Sequence, residues 1–227
     1  MNILRKITQH NWLAIIYFNF KMLPIKQAIH LPFDFYHKVR FNNLSGKIKL
    51  NGKLYRGMVK IGGRGSDIFP KQTTVITLKG TWELNEGTEI GTGASVVVEK
   101  EGKLIFGNNV RIGAYSKIYC ENQIVLGTEI DFSWECQIFD TNFHAIQNVE
   151  TKEVYAIYAP ITIGSYCWLG NRVNVMKGTK IPDYTIVSSN SLCNKDYSDI
   201  PQYSMLAGSP AKFKKCGCRR LFEGIDL

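Results

Sequence analysis

Ile163, Leu169, Val175, Ile181, Val187 and Cys193 stand six residues apart, and Gly164, Gly170, Pro182 and Ser188 directly follow four of them. A strict six-residue period of apolar positions fits neither a 3.6-residue helix nor the two-residue alternation of an ordinary strand. It fits a chain wound into a triangular coil. Each flat side then spends about six residues, one aliphatic points to the axis, and a compact residue turns the corner. Such coils stack as a solenoid, each burying the apolar face of its neighbour.

The period recurs at Leu78, Leu84, Ile90 and Val96, and again at Leu126, Phe132 and Ile138. Between these stretches Phe106, Ile112 and Ile118 keep the step but are displaced by four residues, which predicts a bulge or longer corner near Glu99 to Gly102. From Ile138 to Ile163 the step is one residue more than a multiple of six, so the segment from Asp140 to Pro160 reads as an excursion loop. Loops held on a rigid scaffold are where binding and catalysis concentrate. The expected organisation is an N-terminal cap over 1–60, a β-helix over 61–211 carrying the loop 140–160, and a basic tail over 212–227.

The first 60 residues lack the period. Ile7 to Lys21 has the spacing of an amphipathic helix, Ile25 to His37 is a looser apolar segment, and Gly46 to Val59 alternates like strands around a turn at Asn51-Gly52. Two readings stay open for this segment: a cap that keeps the first coil from edge-to-edge pairing, or a weak anchor on a membrane surface. The apolar stretch from Trp12 to Phe20 contains Asn19 and is about half the length of a bilayer span. It lacks a small-residue cleavage site. The expected location is the cytoplasm, with the inner face of the membrane as a second place.

No CxxC pair occurs among the six cysteines; Cys193 sits at an inward aliphatic position, as a buried free thiol does. Reduced structural thiols are expected. Net charge is +9, with a cluster at Lys212, Lys214, Lys215, Arg219 and Arg220. Nucleic acid, an anionic membrane or a phosphorylated ligand would all suit such a cluster, but no nucleic-acid module accompanies it. His144 is the one histidine beyond residue 37 and stands just inside the loop, where a general base near neutral pH would be useful. Asp140, four residues earlier, either orients that ring or caps the loop's own backbone.

Asp140 to His144, Ile163 to Gly170, Asn194-Lys195-Asp196 and Ala207 to Lys212, in this order and spacing, resemble the hexapeptide-repeat acyltransferases. The resemblance covers about residues 75–215 and is nearest to the sugar O-acetyltransferases of polysaccharide and lipopolysaccharide synthesis. It implies an all-β fold, the left-handed parallel β-helix, although parallel crossovers are otherwise almost always right-handed. It implies acetyl-coenzyme A as co-substrate with no metal, a sugar or glycan acceptor, a homotrimer, and His144 as general base.

Further roles follow from the resemblance alone. Trp168 would border the acceptor site and coenzyme tunnel, or else pack as an outward aromatic on a neighbouring subunit. Asn171, Ser189 and Asn194 would hold the pantetheine arm, and Lys195, Lys212 and Lys215 would meet the coenzyme phosphates. Ser188, Ser189 and Asn190 stand where the family often has Gly or Ala. Apart from the resemblance, Trp134, on the coil before the loop, and Asn142 could face the acceptor; Trp134 or Tyr119 could stack on a sugar ring, and coil packing explains both aromatics equally well. A zinc lyase similar to the γ-class carbonic anhydrases needs about three protein ligands, and the coil region offers His144 alone. A non-catalytic scaffold, or transfer to an amino-sugar nitrogen or an antibiotic hydroxyl, would also suit such a coil.

Overall fold

The computed structural model describes residues 9–63 and 68–222. Among these, three sheets form the faces of a prism. Face I holds Phe33–Phe35, Val59–Gly63, Thr88–Gly91, Arg111–Ile112, Asp131–Phe132, Trp168–Leu169, Ile186–Val187, Met205–Ala207 and Lys212–Lys215. Face II holds Val39–Leu44, Thr74–Leu78, Ser95–Val98, Lys117–Cys120, Gln137–Phe139, Asn174–Met176 and Leu192–Cys193. Lys47–Leu50, Thr81–Leu84, Lys103–Phe106, Gln123–Leu126, Ile161–Ile163 and Lys180–Ile181 make face III. The chain runs II, III, I in turn, and strands pair in parallel with their counterparts one coil on. The architecture is a parallel β-helix.

Every residue singled out by the six-residue period is buried, from Leu78 to Cys193, so the periodic positions are the axis of the prism. Compact corners are enforced by stacking. A Cβ on Gly164 would lie 2.4 Å from Asp183 Oδ1 and 2.6 Å from its amide nitrogen, in the coil above. No side chain fits there without moving the backbone.

The displaced middle phase has a geometric cause. Ile76, Val96, Ile118 and Ile138 stack in register at intervals of 20, 22 and 20 residues, whereas Val175 and Cys193 are 18 apart. The early coils are longer than three sixes because faces II and III each carry two inward residues, such as Val96 with Val98 and Leu104 with Phe106. Of the corners between faces II and III before the excursion loop, Glu99–Gly102 is the longest, closed by the Gly102 N–H donating to the Glu99 carbonyl at 2.8 Å.

At the N-terminal end, helix α1 (Trp12–Met22) and the short α2 (Ile25–Ala28) cover the first coil. Asn11 caps α1 by accepting from the Ala14 N–H at 3.1 Å. Phe18 is fully buried, its ring 4.8 Å from Phe33, 5.1 Å from Phe35 and 5.3 Å from Phe41. Ile7, where the expected helix begins, lies outside the described residues. The β-helix itself begins earlier than residue 61: Val39–Leu44 and Lys47–Leu50 already pair in parallel with the next coil. Their polar, alternating sequence hides the period because an edge coil is half exposed. At the other end Lys212–Lys215 forms the last strand of face I, antiparallel to Met205–Ala207, so the basic segment starts as sheet rather than tail.

Candidate active site

The excursion loop leaves the corner between faces II and III and is pinned at its root. The Ala159 N–H donates to the Asp140 carbonyl at 2.9 Å and the Asn142 N–H to that of Ile157 at 2.8 Å. Further out, Ile146–Gln147 and Val154–Tyr155 pair as a small antiparallel ladder. Phe143 packs its ring 4.7 Å from Tyr119 and 5.7 Å from Phe139 on the outside of face II. The residue after this anchor is His144, which is exposed. It stands between the Phe143 anchor and the Ile146–Gln147 ladder.

Asp140 does not orient that ring. It is fully buried, and its two carboxylate oxygens accept from the N–H groups of Glu121 and Asn122, both at 2.8 Å. Burial raises its carboxyl above the ordinary carboxylate range, and the two backbone donors oppose the rise. Asp140 therefore caps the corner of the preceding coil at the point where the loop departs. Tyr119 packs on the loop root, and its hydroxyl donates to Glu99 at 3.2 Å. Burial, reinforced by the Glu99 charge, pushes this phenol up to about 12.

Trp134 and Trp168 share a groove of about 390 Å³ on face I, bordered by Phe69, Ala114, Ser133 and Arg220. Register explains the meeting: Asp131 pairs with Trp168, so the two tryptophans occupy successive coils. The Trp168 indole N–H donates to Ser133 Oγ at 3.2 Å, and the Arg220 guanidinium lies 5.6 Å from the Trp168 ring centroid while it binds Asp131. Asp131, Ser133 and Arg220 escape a reading of the sequence alone, although the register implicit in the coil count would have placed Asp131 beside Trp168.

The residues expected to hold the coenzyme divide between two sides of the prism. Asn171 and Ser189 stack at the corner between faces I and II, above Trp134, with Ser189 Oγ donating to Asn171 Oδ1 at 2.6 Å. Ser188, Ser189 and Asn190 belong to this same corner. Asn194 and Lys195 are exposed at the corner between faces II and III, two coils beyond the excursion loop. Lys212 and Lys215 are exposed on the last strand of face I. In a three-sided prism the corner joining two faces lies opposite the third. His144, Asn142 and Lys195 are thus on one side of this chain, and Trp168, Trp134, Lys212 and Lys215 on the other.

The buried thiols offer no nucleophile. Cys120, Cys136, Cys167 and Cys193 are free and buried. Burial pushes Cys136 up to about 11 and Cys167 and Cys193 up to about 12, and raises Cys120 as well. They remain neutral near pH 7, and the thiolate is the reactive form.

No family model matches the chain. Rv3034c of Mycobacterium tuberculosis, named as a probable acetyltransferase, is 29% identical over 162 residues, which make up 70% of this chain and 50% of that protein. The chain thus spans about half the length of this relative. WbbJ of Escherichia coli K12, named for O-acetyl transfer in lipopolysaccharide biosynthesis, is 25% identical over 144 residues, 60% of this chain and 72% of WbbJ. Among solved structures, the polysialic-acid-specific acetyltransferase NeuO superimposes with a TM-score of 0.56 at 20% identity, covering 85% of this chain and 92% of NeuO. The relatives named here are acetyltransferases, and the chain folds as a left-handed parallel β-helix like that of NeuO.

Proposed function

We propose that the chain transfers an acetyl group from acetyl-coenzyme A to a sugar hydroxyl in surface-polysaccharide synthesis in the cytoplasm, at sites shared between copies of a homotrimer. The observation that carries this reading is the pairing of an exposed His144, on a loop pinned at its root, with an aromatic groove on the far side of the same coil. Neither half suffices alone. Copies set side to corner would bring the His144 loop of one against the Trp168 groove of the next, as heterologous contacts in a closed ring allow.

At such a junction His144 takes the proton of the acceptor hydroxyl while that oxygen attacks the thioester carbonyl. A backbone N–H at a coil corner donates to the tetrahedral oxyanion. Collapse breaks the carbon–sulfur bond, and the proton held by His144 passes to the departing thiolate. No bond to the protein forms, in keeping with the neutral buried thiols. Trp168, fixed by Ser133, and Trp134 supply flat apolar surface for a sugar ring or the pantetheine arm, with Asn142 of the neighbouring loop facing the acceptor. Asn171, Ser189 and Asn194 contact that arm, and Lys195, Lys212 and Lys215 meet the coenzyme phosphates. Asp140 acts as a positioning residue for the loop.

The reading is supported by the relatives named for acetyl transfer to polysaccharide. It is tested by incubating the protein with labelled acetyl-coenzyme A and a panel of sugars and oligosaccharides. The expected product is an ester, which neutral hydroxylamine cleaves. A hydroxylamine-stable amide would assign the enzyme to amino groups instead, and no transfer with coenzyme binding absent would favour a scaffold.

A further inference from the structure

The outer side of α1 is apolar. Leu13, Ile16, Tyr17 and Phe20, spaced as one helical stripe, are all exposed, Leu13 to 85%. Ile25, which opens α2 and is 73% exposed, and Ile29, which caps it, are exposed as well. The inner side of the same helix is already spent: Ile15 and Phe18 are buried, and the Asn19 amide bonds both the N–H and the carbonyl of Phe33. The helix is therefore fixed on the end of the prism by one side and presents greasy residues outward with the other.

Charge says what this end meets. Residues 1–66 contain 12 Lys and Arg and a single acid, Asp34, whereas residues 67–227 contain 16 Lys and Arg against 18 Asp and Glu. The excess positive charge of the whole chain thus belongs to this stretch of sequence, and nine of its cations, Lys21 to Lys60, lie among the described residues. Asp34 itself is buried and bound to His10. Lys21 closes α1, Lys26 stands between Ile25 and Ile29, and the exposed Arg56 lies 4.5 Å from the Trp12 ring centroid. Aliphatic and aromatic residues rimmed by cations suit the boundary between anionic headgroups and acyl chains. A second copy of the same end would meet this one with like charge, and a nucleic acid would leave the aliphatic stripe wet. Among the described residues no helix is long and apolar enough to cross a membrane.

We propose that the N-terminal end of the prism docks on an anionic lipid surface, with α1 lying in the interface plane and its Leu13–Phe20 stripe inserted. Docking would stand the prism on the membrane, with the site faces running away from the lipid.

The test is flotation of the full chain with phosphatidylglycerol vesicles and with phosphatidylcholine vesicles, at low and high salt. The parent is expected to float with the anionic vesicles, to be released by salt, and to ignore the neutral ones. A Leu13→Gln, Ile16→Gln, Phe20→Gln variant, altered only at exposed positions, should lose roughly tenfold or more of that binding while keeping the parental melting temperature. A Lys21→Gln, Lys26→Gln variant should weaken binding and its salt dependence together. Parental binding by the triple variant, or no binding by the parent, overturns the proposal. So does a change in solution mass of the triple variant without lipid, which would give the stripe to a second copy.

Discussion

His144 and Trp168 belong to the same coil and project from opposite sides of it. The coil passes from Gln137–Phe139 on face II, out along the loop that carries His144, back through Ile161–Ile163 on face III, and reaches Trp168 on face I. One prediction concerns the histidine itself. In His144→Ala acetyl transfer should fall by about 10²–10⁴-fold, the usual contribution of general-base assistance. Coenzyme affinity and melting temperature should stay near parental values, because an exposed loop side chain carries little of the packing. Turnover measured beside a melting curve checks both clauses; full activity would move the proton-transfer role elsewhere.

Coil stacking makes a separate prediction at Gly164. Its added Cβ meets the backbone and carboxylate of Asp183, so relief requires neighbouring coils to move apart. Gly164→Ala should cost about 1–3 kcal/mol, the usual penalty for overpacking a close-packed site. Denaturant unfolding measures it, and an unchanged midpoint would mean that the coils are looser than the structure has them.

The buried thiols set an alkaline limit. Above the ordinary thiol value of 9.0 unfolded cysteines lose their protons, while Cys136 keeps its own to about 11 and Cys167 and Cys193 to about 12. The native state then binds more protons than the unfolded one, so stability falls as pH rises from about 9 toward 11 to 12. Tyr119 and Tyr197, both pushed up to about 12, act in the same direction. Melting temperature should be nearly flat from pH 7 to about 8.5 and drop beyond 9. In the native protein only Cys216 and Cys218 should react promptly with a thiol reagent; fast reaction of a third cysteine would contradict the burial of the other four.

Coenzyme binding should depend on salt through Lys195, Lys212 and Lys215, which are all exposed. Exposed charge pairs contribute up to about 1 kcal/mol each, so changing all three to Ala should weaken binding roughly tenfold or more. Titration calorimetry at two salt concentrations reads this directly, and parental affinity in the triple variant would remove these lysines from the phosphate site.

The core was legible because its rule is local: one aliphatic per side, at Leu169, Val175 or Ile181, needs only counting. The long corner at Glu99–Gly102 showed as a phase slip for the same reason. The first coil was hidden, since Ile48 and Leu50 are half exposed and stack on a neighbouring coil, at Trp82 and Leu84, on one side only. Asp140 was ambiguous because a carboxylate near a histidine and a carboxylate near backbone donors look alike until the coil beneath is placed. Arg220 and Asp131 are 89 residues apart in sequence. Their meeting over Trp168 depends on where the last strand returns the chain, which no period encodes.

The central claim, a site shared between copies, is tested most directly by mixing two inactive proteins. His144→Ala and Trp168→Ala chains are unfolded together, refolded as mixed oligomers, and assayed for acetyl transfer against each variant refolded alone. If the base comes from one copy and the groove from its neighbour, some junctions in the mixture carry both intact partners, and turnover rises well above that of either parent variant. If mixed oligomers form and turnover stays at the level of the separate variants, both residues act within a single chain and no site is shared.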